Sequence, residues 1–226
     1  AIENGPITLP IVGLLYIVLA GGTWNRERRD VEPRRTPWMF APAALGVAVL
    51  LVWIPVKTPK PEALDIWFLD VGQGDAIVLR TPRGTGALID AGRGFAGSRV
   101  TEHLRREGIE TLSSALVTHA DADHAGGMET VLQQVPVGWL LVGGMSAETE
   151  EFKALERAAL NQQQQVALVR RGARIQLDSS EVRLDVLHPT REFLAEGMDR
   201  NDASIVLLLE YGGVKFLLTG DAEYAA

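Results

Sequence analysis

The sequence predicts an α/β (α+β) domain in which two β-sheets lie between outer helices, an αββα sandwich, preceded by two transmembrane helices. Three observations predict it. Short apolar strands dominate the chain after residue 63, with helical patterns interspersed among them. Two uncharged segments precede these strands. A turn rich in histidine and aspartate follows one of the buried strands.

The two uncharged segments cover residues 7–24 and 38–56. Each is about 20 residues long, which is enough to cross a hydrocarbon core of ~30 Å. The loop between them holds five arginines against three acids, a pattern typical of the cytoplasmic side. If both segments span, everything after Lys57 lies outside the cytoplasm. Prolines in both segments leave open the alternative that one of them is a buried or interfacial helix.

We therefore expect two membrane helices with an Arg-rich loop in residues 1–56, a stiff linker in residues 57–63 and a globular domain in residues 64–226. The chain does not start with Met, and a buried strand enters a functional-looking turn shortly before Ala226. For these reasons we expect a fragment whose domain is truncated at its C-terminus.

Composition limits the chemistry that the domain can use. The chain has no cysteine, so any metal must be bound by histidine and carboxylate. Its formal net charge is −7, and the excess of acid lies after Lys60. This charge argues against a broad basic surface for nucleic acid.

The globular part begins with an antiparallel meander of three predicted strands. A helix follows, with Ser98 as its expected N-cap and Gly108 as its stop. The predicted strands are 64–71, 76–80, 87–89, 112–118, 137–142, 166–169, 174–177, 182–187, 205–211 and 214–219, the last two forming a hairpin across Gly212-Gly213. The predicted helices are 98–107, 126–134 and 148–163.

The densest chemical signal is the turn Thr118–Gly127, which follows a buried strand and precedes a helix. Four of its side chains can bind a metal, and the helix N-terminus adds a positive dipole. Crowding two imidazoles and two carboxylates becomes favourable when a divalent cation compensates their charge. Another interpretation is a solvated loop in which Asp121 and Asp123 cap the helix, but it leaves His119 and His124 unexplained.

This turn resembles the signature of the metallo-β-lactamase superfamily, and more narrowly the C-terminal domain of ComEC-type DNA-uptake channel proteins. The superfamily pattern is His-x-His-x-Asp-His, and Asp121 here takes the place of the second His. The resemblance covers Leu64–Asp221. Its other motifs are Asp70-Val71-Gly72-Gln73-Gly74-Asp75, Leu88-Ile89-Asp90-Ala91-Gly92, Asn201-x-x-Ser204-x-Val206 and Leu218-Thr219-Gly220-Asp221.

The resemblance implies two divalent metal ions and no organic cofactor. The implied ligands are His119, Asp121, Asp123, His124 and Asp221, with Asp221 bridging both ions. Asp90 would support one of the ligands. Since Asp121 replaces a nitrogen ligand by oxygen, the site is shifted from Zn²⁺ toward Mn²⁺ or Mg²⁺, although zinc also tolerates carboxylates. Asp121 or Asp123 would also accept a proton in catalysis.

Several positions have two interpretations. His188 is either a further metal ligand or a strand-end histidine bonded to backbone, and Asn201 lies closer to where the family's third-site His is expected. Asn201 and Ser204 either bind a phosphate or form a turn before the next strand. In the first motif, Asp70, Gln73 and Asp75 are expected near the site or the substrate, with Asp75 as a simple turn residue as the alternative. Arginines 93, 99, 105 and 106 either guide a nucleic-acid backbone or form a solvated helix face.

The resemblance implies a metal-dependent nuclease domain of a multi-pass cell-membrane protein that takes part in DNA uptake and transformation. DNA, single-stranded or duplex, the membrane and the rest of the channel would be its partners. The domain would lie outside the cytoplasm, on the periplasmic or cell-surface side. The residues themselves support only metal-assisted hydrolysis. The alternatives are a non-catalytic module that guides DNA and a hydrolase of another phosphodiester.

Overall fold

The computed structural model describes residues 63–143, 149–191, 193 and 201–223. The two predicted membrane segments and nearly all of the predicted linker lie outside these residues. Within the described part of the chain, no helix is long and apolar enough to cross a membrane.

The first sheet has six strands arranged in the order of the sequence. They are β1 (Asp65–Phe68), β2 (Ile77–Arg80), β3 (Gly86–Ile89), β4 (Leu112–Val117), β5 (Val137–Val142) and β6 (Val166–Leu168). Strands β1 to β3 pair antiparallel, which confirms the predicted meander, and β3 to β6 pair parallel. Because parallel strands share one carboxyl edge, the residues that follow β3, β4 and β5 meet there.

The helices described in the structure are α1 (Gly97–Arg106), α2 (Ala122–Ala125), α3 (Met128–Gln134) and α4 (Glu150–Asn161). The prediction of Ser98 as an N-cap was wrong, because a 3₁₀ turn over Gly94–Ala96 leads directly into α1 at Gly97. The predicted helix over 126–134 begins only at Met128. The backbone around Gly126 and Gly127 packs so tightly against residues 91–94 that a Cβ atom at either glycine would clash.

The second sheet is antiparallel, with the strand order β10-β9-β8-β7. Its strands are β7 (Arg174–Gln176), β8 (Arg183–His188), β9 (Val206–Tyr211) and β10 (Val214–Leu218). The predicted hairpin is confirmed, with Val214 opposite Tyr211. Gly212 and Gly213 both have positive φ, 57° and 82°, as a tight two-residue hairpin turn requires.

Two apolar cores separate three layers. Alternate residues of the six-stranded sheet, such as Val78 and Leu88, pack with residues of helices α1 to α4. Their neighbours Leu79 and Ile89 pack with residues of the second sheet. Burial on both faces explains why β2 to β4 are almost wholly apolar. The α/β fold is thus confirmed, and the described layers are the first three of the predicted four.

Candidate metal centre

The predicted histidine turn lies at the carboxyl edge of the parallel strands. Asp90 directly follows β3, and Thr118 and His119 directly follow β4. Ile89 and Leu116 are neighbours in register, so the side chains that leave both strands reach one place. The segment that leads into β9 joins them, since Ile205 N donates to the carbonyl of Thr118 at 3.0 Å.

Asp90 is fully buried and forms hydrogen bonds with both Thr118 and His124. Its Oδ1 accepts from Thr118 N at 2.8 Å, and its Oδ2 accepts from Thr118 Oγ1 at 2.6 Å. Oδ2 also lies 2.8 Å from His124 Nδ1. The φ of Asp90 is 56°, a conformation that aspartate tolerates better than most residues. The position therefore requires a short carboxylate in an unusual backbone conformation.

The bonds around His119 determine which of its nitrogens is open. The Thr118 hydroxyl donates to Asp90, and its oxygen lies 3.1 Å from His119 Nδ1. The hydroxyl oxygen of Ser204 lies 3.2 Å from the same nitrogen. These oxygens accept the Nδ1 proton, which leaves a lone pair on Nε2. That buried Nε2 has no hydrogen-bond partner in the described part of the protein.

His124 is held in the same way by a charged partner. Its Nδ1 donates to Asp90, and its Nε2 lies 3.2 Å from Asp221 Oδ1 without the angle of a hydrogen bond. The two imidazole rings are 4.2 Å apart between centroids. Both Nε2 atoms are therefore buried without a hydrogen-bond partner among the described residues.

The two imidazoles have opposite pKa shifts. Burial lowers the pKa of His119, and the neighbouring positive charge of His124 lowers it further. Burial also lowers the pKa of His124, but the hydrogen bond and charge of Asp90 with the charges of Asp221 and Asp75 outweigh it and raise this pKa to about 9. A neutral and a charged imidazole thus lie in contact, and a metal ion that bound His124 would displace the proton of its Nε2.

Two groups of potential metal ligands emerge among the described residues. His119, His124 and Asp221 have ligand atoms within 4.8 Å of one another, and so do Asp75, Asp90 and His124. In the second group Asp90 is already saturated by Thr118 and His124. We therefore take the first group as the candidate metal centre. Burial raises the pKa of Asp75, with the negative charges of Asp90 and Asp221 adding to it against the charge of His124.

The chemistry of the first group fits a divalent cation. Two buried imidazole nitrogens with fixed tautomers and one carboxylate are ordinary ligands of Zn²⁺ and Mn²⁺. A hydrogen bond to the other nitrogen of each ring is how metal-bound histidines are usually oriented. The two open Nε2 atoms would be unfavourable in a purely structural cluster, since each loses its hydrogen bond to water.

Asp121 and Asp123 lie around α2, outside both groups. Asp121 occupies the N-cap position of α2, but its side chain makes no capping hydrogen bond. Its Oδ2 lies 3.9 Å from His119 Nε2 instead. Asp123 is half-buried in the first turn of α2, with the backbone of Gly74 against it. The capping interpretation therefore does not describe Asp121.

The remaining residues that were predicted for the site lie in different environments. His188 Nε2 lies 2.8 Å from the carbonyl oxygen of Asp202, which is the backbone-bonded arrangement. Ser204 is fully buried against His119, which is at odds with a hydrogen bond to a phosphate. Its amide donates to the carbonyl of Asn201 in a turn. Asp70 is exposed and accepts from Gly72 N, and Gln73 is exposed in the same loop.

Sequence reasoning gave no role to Thr118, whose hydroxyl joins Asp90 to His119. One signal could have found it. Thr118 is a polar residue that follows the apolar run Ala115-Leu116-Val117, directly before the first metal-capable side chain.

Comparison with known proteins gives consistent matches. The family model of the metallo-beta-lactamase superfamily matches residues 69–226. ComE operon protein 3 of Bacillus subtilis (strain 168) is 30% identical over 195 residues, 78% of this chain and 24% of that protein. Competence protein ComA of Neisseria gonorrhoeae is 29% identical over 189 residues, 83% of this chain and 23% of that protein. Recombination protein 2 of Haemophilus influenzae is 31% identical over 160 residues, 69% of this chain and 18% of that protein.

The chain therefore spans a quarter or less of the length of these curated relatives. Each relative matches most of the chain, and the family model covers all residues of the candidate metal centre.

Proposed function

This chain belongs to the metallo-beta-lactamase superfamily and is of the ComEC type, and from that premise we propose that it is the DNA-hydrolysing domain of a membrane DNA-uptake protein. The superfamily fold indicates a metal-dependent hydrolase and the relatives a competence protein. The nuclease activity, the DNA substrate and the channel as partner are the finer part of the proposal. The domain would act outside the cytoplasm.

One observation carries the proposal: two buried imidazoles present Nε2 atoms that lack a hydrogen bond, beside the exposed carboxylate of Asp221. His119, His124 and Asp221 would hold a divalent ion there. Such an ion lowers the pKa of water and stabilises charge on phosphate oxygens. The half-exposed Asp221 places this chemistry where a large substrate can reach it.

The chain's own residues have distinct tasks around that position. Asp90 orients His124, while Thr118 and Ser204 orient His119. Asp121 and Asp123 are our candidates for accepting the proton of the attacking water. Both are half-buried around α2, and Asp121 lies beside His119.

The donor set guides the choice of metal. We propose Mn²⁺ or Zn²⁺, with Mg²⁺ as a further possibility, because two nitrogen and several oxygen donors surround one place. Two ions, with Asp123 on the second, stay part of the prediction. Asn201, Asp70 and Gln73 remain candidates for contacts with the substrate.

The central experiment measures cleavage of single-stranded DNA by the purified chain with Mn²⁺, Zn²⁺ or EDTA. Asp221→Asn and Asp123→Ala should abolish metal-dependent cleavage. Glu156→Gln is the matched control, since this exposed carboxylate lies on α4 outside the candidate centre.

The outcomes separate the three hypotheses. Metal-dependent cleavage lost in Asp221→Asn supports a nuclease. DNA binding without cleavage in any metal contradicts it and favours a guiding module. Hydrolysis of bis(p-nitrophenyl) phosphate without cleavage of DNA favours a hydrolase of another phosphodiester.

The membrane topology has its own test, because the chain contains no cysteine. A single cysteine introduced at the exposed Thr111 should react with a membrane-impermeant maleimide in intact spheroplasts. Labelling only after the cells are lysed would place the domain in the cytoplasm and overturn this part of the proposal.

A further inference from the structure

We propose that Arg93, Phe95 and Arg99 form a subsite for an unpaired nucleic-acid strand beside the metal centre. Phe95 would stack on a base, and the two arginines would contact neighbouring phosphates. This inference rests on the proposed function and names how its substrate is held. The three residues are called the stacking subsite below.

The stacking subsite adjoins the candidate metal centre through its backbone. Ala91 N donates to the carbonyl of His124 at 2.9 Å, and Gly92 N donates to the carbonyl of Asp75 at 2.8 Å. A Cβ atom on Gly126 would lie 2.8 Å from Gly94 N. The segment that carries the stacking subsite therefore packs directly on the turn that carries His124.

Phe95 is exposed for a structural reason and not because its segment is loosely held. Its side chain is 64% exposed, whereas Ala96, the next residue, is fully buried in the apolar core. The Ala96 amide donates to the carbonyl of Arg93 at 2.7 Å. Gly97 packs so closely on Gly127 that a Cβ atom there would lie 2.5 Å from its carbonyl oxygen. The ring is thus presented to solvent by a well-anchored turn, which lowers the entropy lost on binding.

The charges around Phe95 point to an anionic and planar ligand. The Arg99 guanidinium carbon lies 6.0 Å from the Phe95 ring centroid. Arg93 and Arg99 are both exposed, and neither forms an ion pair among the described residues. Arg106, at the other end of the same helix, is paired with Glu102. An exposed aromatic ring with one arginine against it and a second arginine two residues before it is a combination that binds single strands by stacking and phosphate contacts.

A duplex does not fit this arrangement, because its bases are stacked on one another and hidden from a side chain at the surface. An unpaired strand exposes the faces of its bases. The stacking subsite therefore selects single-stranded over duplex nucleic acid, whatever its sequence.

The test measures the binding of a phosphorothioate-linked oligothymidylate to the full chain with Mn²⁺, by fluorescence anisotropy. Phe95→Leu keeps an apolar side chain but removes the π face, and should raise Kd about 5- to 100-fold. Phe95→Trp should preserve binding. Trp139→Ala is the aromatic control, since Trp139 is 48% exposed on β5, level with Ser114 near the start of β4 and away from the carboxyl edge.

The arginines are tested by salt dependence. Arg93→Ala and Arg99→Ala should each reduce the slope of log Kd against log salt by about 0.7, the value for one phosphate of a single strand. Arg105→Ala, which removes an exposed arginine at the far end of α1, should leave the slope unchanged.

Two results would overturn the stacking subsite. One is equal binding of the oligothymidylate by Phe95→Leu and the unchanged chain. The other is equal binding of an abasic strand and a base-bearing strand. Because binding is read without cleavage, a chain that binds through Phe95 but never cleaves DNA contradicts the proposed function alone.

Discussion

Two carboxylate–threonine clusters lie at opposite ends of β3. They differ in whether they leave buried polar atoms without a hydrogen bond. The remote cluster consists of Asp178, Thr81 and Ser180, where Asp178 accepts from the Thr81 hydroxyl and from Ser180 N. The site cluster consists of Asp90, Thr118, His119 and His124. In both clusters a threonine at a strand end donates to an aspartate.

The difference between the clusters separates structure from function. No buried side-chain polar atom of the remote cluster lacks a hydrogen bond, whereas the site cluster leaves two imidazole Nε2 atoms without one. Such an atom destabilises a fold by ~1–3 kcal/mol unless a ligand binds it. The comparison predicts that changes in the remote cluster affect stability alone, while changes in the site cluster affect stability and metal binding together.

The largest effect is expected for Asp90→Asn. The amide keeps the size and tolerates the positive φ, but it removes the charge that holds His124 and leaves one acceptor oxygen where two accept from Thr118. The free energy of unfolding should fall by ~3 kcal/mol. Metal affinity should fall by about 10- to 100-fold.

Urea denaturation and metal titration measure both quantities. Asp185→Asn is the control, since its ion pairs with Arg174 and Arg183 lie at the surface of the second sheet. An equal loss of metal affinity in both variants would contradict the assignment of Asp90.

The next largest effect is the pH dependence of the metal-free domain. Folding raises the pKa of His124 to about 9, so its contribution is fully present below pH ~6.5 and is lost as the pH rises through 9. The free energy of unfolding should fall by ~2–3 kcal/mol over this window. His119 has the opposite shift, so its protonation destabilises the folded domain at low pH. This contribution to the free energy of unfolding no longer changes above the ordinary pKa of histidine, ~6.5.

Urea midpoints in EDTA at several pH values test this dependence. His124→Gln should flatten the curve between pH ~6.5 and 9, because no imidazolium is then left to lose its proton. A curve that keeps its slope in His124→Gln would show that another group titrates there.

A smaller effect is expected for Thr118→Val, which preserves the shape but removes the hydroxyl between Asp90 and His119. We expect a loss of ~1–2 kcal/mol in unfolding free energy and weaker metal binding. Ser204→Ala should have a smaller effect, ~0.5–1 kcal/mol, because Thr118 still holds His119 Nδ1. Equal effects of the two changes on metal affinity would contradict this order.

The smallest effect on metal binding is expected for Asp178→Asn in the remote cluster. Burial raises the pKa of Asp178, but hydrogen bonds from Ser180, Thr81 and Thr85 outweigh it and lower this pKa to about 2. Its stabilising contribution is present above pH ~4 and is lost as the pH falls through about 2. With solvent screening the loss at neutral pH should be ~1 kcal/mol, and metal titration should match that of the unchanged chain.

Local sequence patterns were sufficient for most of the fold. Apolar runs and the Gly212-Gly213 turn placed β4 and the β9–β10 hairpin within one residue of their observed bounds, since such signals act over short distances. The short helix α2 was missed. Its four residues carry no helical period, and it is held by packing of the glycines that follow it against residues 91–94.

The sequence by itself determined the positions of the strands and the presence of a histidine–aspartate turn at the end of β4. Only the tertiary structure decided which nitrogen of each histidine is open, because their partners come from elsewhere in the chain. Asp90 lies 34 positions from His124, and Ser204 lies 85 positions from His119. Strand register and the packing of the two sheets bring these residues together, and such long-range contacts leave no mark in the local pattern of residues.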